Sequence, residues 1–262
     1  MFQTAGEDAR QAEADAAPQS RSAAYRLAFA DTDFLLRDEL RPVRLQLELL
    51  KPELALAEHG INSTVVIFGS ARTSGGIRGG IDLDQALAEA RRLARLVSRY
   101  GQGRDGPAEF VVVTGGGGGV MAAANQGAAD VGAKSIGFNV VLPHEQHPNP
   151  YVTPELCFRF HYFAIRKMHL LLRARAVICF PGGFGTLDEL FETLTLIQTG
   201  KMTAVPVVLF DRTFWSRVLN VEALVDAGLI APKDARSFTM VDSADAAWEV
   251  IRAHYGLDVE PD

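Results

Sequence analysis

Two segments of this chain repeat one plan, in which a short apolar run meets clustered glycines and then helix-patterned sequence. In the first, 109–114 reads as a strand, Gly115 to Gly119 are five consecutive glycines, and 120–131 is Ala-rich and helix-like. In the second, 176–180 runs into Pro181-Gly182-Gly183-Phe184-Gly185-Thr186, after which Leu187, Leu190, Phe191, Leu194 and Ile197 mark one stripe of a 3.6-residue period. A run of apolar residues without alternation is the pattern of a strand buried on both faces, which belongs in a parallel sheet with helical crossovers. Further apolar runs at 64–68, 134–138, 156–160, 205–210 and 238–241 alternate with helix patterns at 82–100, 162–173, 214–227 and 244–254. The order predicts a doubly wound, Rossmann-like α/β fold with a parallel sheet and helices on both faces. In such sheets ligands collect at the carboxyl ends of the strands, where Gly69-Ser70 and both glycine turns emerge.

The glycine turns define a chemistry. Without a Cβ at Gly182, Gly183 and Gly185, a ligand can approach the backbone, and unpaired N–H groups at a helix start favour an anion. A phosphate fits best, and Thr186 adds a hydroxyl. Glu189 falls in the first helical turn, away from the centre of the apolar stripe. It either faces a ligand or simply complements the helix dipole, and this loop alone leaves both readings open. The pentaglycine run fits a dinucleotide fingerprint only as Gly117-x-Gly119-x-x-Ala122, and the next strand ends in Asn139 where a ribose-binding acid is wanted, so NAD is disfavoured. No GxxxxGK[ST] occurs, which removes the main support for ATP hydrolysis.

Four stretches together resemble the LOG (Lonely Guy) phosphoribohydrolases, whose members are often labelled lysine-decarboxylase-like: PGGxGTxxE at 181–189, TGGGGGVM at 114–121, the Arg166-Lys167 pair in FAIRKM, and VIFGSAR at 66–72. The resemblance covers about residues 61–211. It implies hydrolysis of the N-glycosidic bond of a nucleoside 5′-monophosphate, AMP or an N6-modified AMP of cytokinin type, to free base and ribose 5-phosphate. It carries the catalytic roles onto Arg166 and Glu189. Substrate contacts fall on Gly69, Ser70, Gly115, Gly116, Gly117, Met121, Lys167, Gly182, Gly183, Gly185, Thr186 and Glu192. It also implies a homodimer or higher homo-oligomer whose subunits complete each other's sites, and no cofactor. A carrier that binds a nucleotide or cofactor without hydrolysis is the alternative on the same fold.

Breaking a ribosyl C–N bond builds positive charge on the sugar, so a carboxylate can stabilise it and orient or deprotonate water. Glu189 suits both tasks. Arg166 can hold the phosphate, position Glu189 or polarise the leaving base. Lys167, about 100° away on the helix, is as readily structural or subunit-bridging as ligand-binding, and Glu192, one turn beyond Glu189, is equally a solvated carboxylate. Arg72 touches phosphate or base or is a surface arginine. His161, Tyr162 and Phe163 read as packing, with base stacking as the other option. In His144-Glu145-Gln146-His147 the flanking prolines exclude a helical zinc site, so a loop is expected and no metal; Glu145 resembles the family's substrate-facing loop.

With 262 residues and 48% hydrophobic content the chain can bury a full core. A net charge of -6 gives no surplus of cations for a nucleic-acid backbone. Cys157 and Cys179, in apolar runs, suit reduced buried thiols and a cytoplasmic setting. No stretch has the length of a membrane span. The organisation expected is a disordered acidic tail (1–22), a helical arm (23–60) split or not by Pro42 and Pro52, and the Rossmann-like domain (61–262).

Overall fold

The computed structural model of the protein describes residues 4–11, 17–72, 76–102, 106–141 and 147–258. The chain divides into two compact units, 1–51 and 52–262. The first holds α1 (Ala5–Gln11), α2 (Thr32–Leu35) and most of α3 (Arg41–Glu58), which continues into the second. Helix α1 lies inside the tail expected to lack structure. Thr4 and Glu7 start it as a capping box, the Thr4 hydroxyl accepting from Glu7 N at 3.3 Å and the Glu7 carboxylate from Thr4 N at 2.7 Å. Neither proline divides α3. Pro42 occupies the first turn, where a missing N–H loses no helical bond. The unit boundary falls at 51/52 rather than 60/61 because Pro52 and Leu56 are buried, Leu56 in the core of the second unit.

The second unit runs β1 (Thr64–Phe68), a hairpin of β2 (Ile77–Arg78) and β3 (Ile81–Asp82), α4 (Leu83–Gln102), β4 (Val111–Thr114), α5 (Val120–Asp130), β5 (Ser135–Val140) and β6 (Cys157–Phe160). It continues through α6 (Phe163–Leu172), β7 (Ala174–Cys179), α7 (Phe184–Gln198), β8 (Val207–Phe210), α8 (Arg212–Val218), α9 (Val221–Asp226), β9 (Thr239–Val241) and α10 (Ala244–Tyr255). Seven strands form one parallel sheet in the order β6-β5-β4-β1-β7-β8-β9. The chain winds outward from β1 to β6, returns through α6 to β7 on the other side of β1, and winds outward again. That reversal beside β1 is the switch point of a doubly wound sheet, and the expected fold is the one found.

Alternate residues of β4, β1, β7 and β8 feed two separate cores. Val65 and Ile67 of β1 join the cluster under α4, α5 and α10, whereas Val66 and Phe68 join the one under α6, α7 and α8. At about 1.5–3 kcal/mol for each fully buried aliphatic or phenyl side chain, a strand with apolar residues in every position is stable only between two helical layers. The 214–227 pattern yields two helices instead of one: Leu219 is extended, and the Asn220 side chain caps α9 by accepting from Ala223 N. Among the described residues no helix is long and apolar enough to cross a membrane.

Candidate active site

Because β4, β1 and β7 are neighbours, the turns leaving their carboxyl ends meet. Ser70 N donates to Pro181 O at 3.0 Å and Val120 N donates to Ser70 O at 3.0 Å, lacing the three turns together. Gly119 makes this possible. Its φ is 59°, and a Cβ there would stand 2.2 Å from Ser70 O, so no other residue fits. The turns enclose a cavity of about 350 Å³.

Ten of the sequence-selected residues line it: Gly69, Ser70, Gly115, Gly117 and Met121 from the first two turns, Gly183, Gly185 and Thr186 at the start of α7, and Arg166 and Glu189. Gly183 is the N-cap of α7 and supplies no side-chain cap, which leaves the helix start to an external anion. Four residues are not in the lining. Gly116 turns away, its N–H donating to Thr114 Oγ1 at 3.0 Å and its carbonyl accepting from Asn149 N at 2.8 Å. Gly182 lies against Thr186, where a Cβ would come within 2.1 Å of Oγ1. Lys167 and Glu192 pair with each other at 2.9 Å, and Lys167 also pairs with Asp188 at 2.9 Å.

The apolar stripe of helix α7 packs on the core through Leu187, Leu190, Leu194 and Ile197, but the buried face is wider than the stripe. Thr186, Glu189, Leu190 and Thr193 are buried, whereas Phe191 faces outward. The Glu189 carboxyl is therefore enclosed, at 4% exposure, rather than set beside the stripe. Arg166 reaches it from α6: Nε donates to Phe138 O at 2.6 Å, and Nη1 stands 3.6 Å from Glu189 Oε1. Burial raises the Glu189 pKa to about 7; Arg166 and Lys167 oppose the rise, and Glu192 and Asp188 add to it. Glu189 Oε2 is buried with no hydrogen-bond partner among the described residues. Burial likewise lowers the Arg166 pKa, against the attraction of Glu189. A carboxyl that titrates near neutrality, with one free oxygen, can take up and release a proton at the cavity wall.

A buried amide network, missed in the sequence, holds the pentaglycine turn. Asn125 Oδ1 accepts from Thr114 Oγ1 at 2.7 Å and from Asn149 Nδ2 at 3.0 Å, while Asn149 Nδ2 also donates to Gly117 O at 3.0 Å. Only Asn125, an amide within the Ala-rich α5, hinted at this. Asn139, Val140, Arg72, Phe163 and Asp188 also line the cavity, with Phe163 under the Arg166 guanidinium at 5.8 Å. His161 and Tyr162 meet edge to face, their ring centroids 4.6 Å apart. Glu145 lies outside the described residues. Both cysteines are free thiols, Cys179 buried and Cys157 half-buried. Among the described residues no group of three or more His, Cys, Asp or Glu could hold a metal ion.

Fold and cavity together define a Rossmann-like α/β protein with its site at the switch point. The family model described as "possible lysine decarboxylase" matches residues 121–251, half of the chain, and the chain belongs to that family, the LOG family. The cytokinin riboside 5′-monophosphate phosphoribohydrolase LOG7 of Arabidopsis thaliana is 35% identical over 88 residues, 33% of this chain and 39% of that protein. The probable cytokinin riboside 5′-monophosphate phosphoribohydrolase LOGL3 of Oryza sativa subsp. japonica is 32% identical over 87 residues, 33% of this chain and 40% of that protein. The matches thus span about two fifths of the length of these relatives. The molybdenum cofactor binding protein of the phototrophic bacterium Rippkaea orientalis shares the fold, with a TM-score of 0.50 at 20% identity over 74% of this chain and 98% of that one.

Proposed function

We propose that the protein hydrolyses the N-glycosidic bond of a nucleoside 5′-monophosphate, AMP or an N6-modified AMP, releasing the base and ribose 5-phosphate. The observation that carries this reading is the meeting of Arg166 and Glu189, 3.6 Å apart, at a cavity that is also lined by the uncapped start of α7. In this mechanism the phosphate docks on the N–H groups beyond Gly183 and on Thr186. Glu189, held as carboxylate, stabilises the developing sugar cation and takes the proton of the attacking water, and Arg166 keeps it oriented. The two relatives named as phosphoribohydrolases support the same chemistry. The test is incubation of the pure protein with a panel of nucleoside monophosphates, without added metal or NAD, followed by detection of free base. AMP-class substrates are expected to turn over and adenosine to be poor, since it lacks the anchoring charge. Equal turnover of adenosine and AMP overturns the phosphate cradle; binding of AMP with no base released makes the protein a carrier.

We propose further that the protein is a homodimer built on the outward face of α7. Phe184 and Phe191, seven residues apart, are 92% and 45% exposed, and Met168 and Leu172 of α6 and Val218 of α8 are exposed as well. Beside Phe191 lies a hollow of about 260 Å³ lined by Leu194, Val218 and Leu224. An antiparallel α7 of a second copy, centred on Phe191, brings its Phe184 about 10 Å along the axis, to this hollow, at 1.5 Å per residue. The same face thus supplies both knob and hole, as a two-fold interface requires. Sedimentation velocity is expected to give a dimer for the parent and a monomer for Phe191→Asp; a monomeric parent at micromolar concentration removes the proposal.

A further inference from the structure

Lys167 is absent from the cavity lining, yet it stands at the centre of the charge arrangement behind it. Its ammonium lies 2.9 Å from Asp188 Oδ2 and 2.9 Å from Glu192 Oε2, carboxylates four residues apart that bracket Glu189 on α7. The Lys167 side chain is only 15% exposed, so this is a fixed bridge rather than a loose surface pair. It joins the helix that carries Arg166 to the helix that carries Glu189.

Resting on the hydrolytic reading above, we propose that Lys167 is a positioning residue: by bridging Asp188 and Glu192 it docks the first two turns of α7 on α6 and keeps Glu189 available as a proton acceptor. The charged and titratable groups around Glu189 are Arg166 and Lys167 on α6, Asp188 and Glu192 on its own helix, and the Cys179 thiol on β7. Without Lys167, two carboxylates next to Glu189 lose their partner and Glu189 loses a cation. Both changes favour the protonated acid, so the active carboxylate form would appear only at higher pH. Arginine can keep the bridge; methionine keeps the stem and drops the charge.

The experiment is a ¹³C NMR pH titration of the Glu189 carboxyl in the full chain without substrate, assigned by its loss in Glu189→Gln, beside the pH profile of kcat/KM for AMP. Lys167→Met is expected to raise the Glu189 midpoint by on the order of one pH unit, and to move the ascending limb of kcat/KM by the same amount. Lys167→Arg is expected to restore both. Glu192→Gln, which removes a negative neighbour and leaves Lys167 paired with Asp188, should shift the midpoint downward. A spacer role alone would not give opposite shifts from the two ends of one bridge. An unmoved midpoint in folded Lys167→Met, or same-sign shifts in Lys167→Met and Glu192→Gln, overturns the proposal. If Lys167→Met fails to fold, a downward shift in Glu192→Gln with a parental midpoint in Lys167→Arg supports it, and any other pair of results rejects it. The titration needs no turnover, so a protein that hydrolyses no nucleotide would refute the hydrolytic reading while the midpoints still judge the bridge.

Discussion

Glu189→Gln is expected to lower kcat for AMP on the order of 10²- to 10⁴-fold, a usual range for a positioned acid/base group, while calorimetric AMP affinity stays near parental. Gln preserves size and can still hydrogen bond, but it carries no charge for the sugar cation and takes no proton from water. In the parent, kcat/KM should rise with pH up to about 7 and level off above it, since the reactive form is the carboxylate and its midpoint is about 7. The variant should lose that limb. Stability should move the other way. The folded-state pKa lies above the ordinary glutamate value of 4.5, so ionising Glu189 costs folding free energy that is absent below about pH 4.5 and complete above about pH 7. At pH 8.5 the variant is therefore expected to unfold later than the parent, by on the order of 1–3 kcal/mol, and at pH 4.5 to match it. Near-parental kcat in folded Glu189→Gln would remove this residue from the chemical step; it lies beyond the first turn of α7, so a helix-dipole role would not account for it either.

The central strands were legible because β1, β4 and β8 are buried on both faces, and continuous apolar runs such as 64–68 have few other uses in a folded domain. The glycine turns were legible for a related reason: Gly119 cannot be replaced where backbone passes backbone, so the need is written as residue identity. The buried face of α7 was largely legible: of the stripe from Leu187 to Ile197, Leu190 is buried and Leu187, Leu194 and Ile197 pack against the core. Its edges were not, since Phe191 lies outside the fold and the Glu189 carboxyl inside it, each against the usual pattern of burial. The hairpin of β2 and β3 has no apolar run to announce it. Gly79 and Gly80, with φ of 59° and 82°, make it a two-residue turn between strands too short to show alternation. The amide network escaped because its partners are backbone atoms and side chains 10 to 32 residues away, contacts that no local pattern encodes. Glu189 was singled out by its place after the second glycine turn, and Arg166 through the family resemblance. Their meeting follows from the α6–β7–α7 path, which sets the two helices side by side on one face of the sheet.

Arg166→Ala is expected to lower kcat/KM for AMP on the order of 10³-fold, with both KM and kcat affected. Three losses coincide. The cavity loses its buried cation, which weakens the hold on an anionic substrate. Glu189 loses the partner 3.6 Å away that sets its orientation. It also loses the largest of the interactions that lower its pKa, so its midpoint rises further above 7 and less carboxylate is present at neutral pH. The third loss has a signature of its own. Raising the pH to 9 should recover part of the kcat deficit but none of the affinity deficit, because only the former depends on the charge of Glu189. Protonation of Glu189 also spares the fold the several kcal/mol that breaking a buried ion pair otherwise costs, so the variant should stay folded at pH 6 and lose stability as the pH climbs. Arg166→Lys separates charge from geometry: an ammonium restores the field at Glu189 but has no planar fork to bond Phe138 O and face the carboxylate together. It should return the pH profile towards the parent and leave the rate low. A pH-independent deficit in Arg166→Ala, with Glu189 titrating as in the parent, would show that the two side chains are neighbours without being partners.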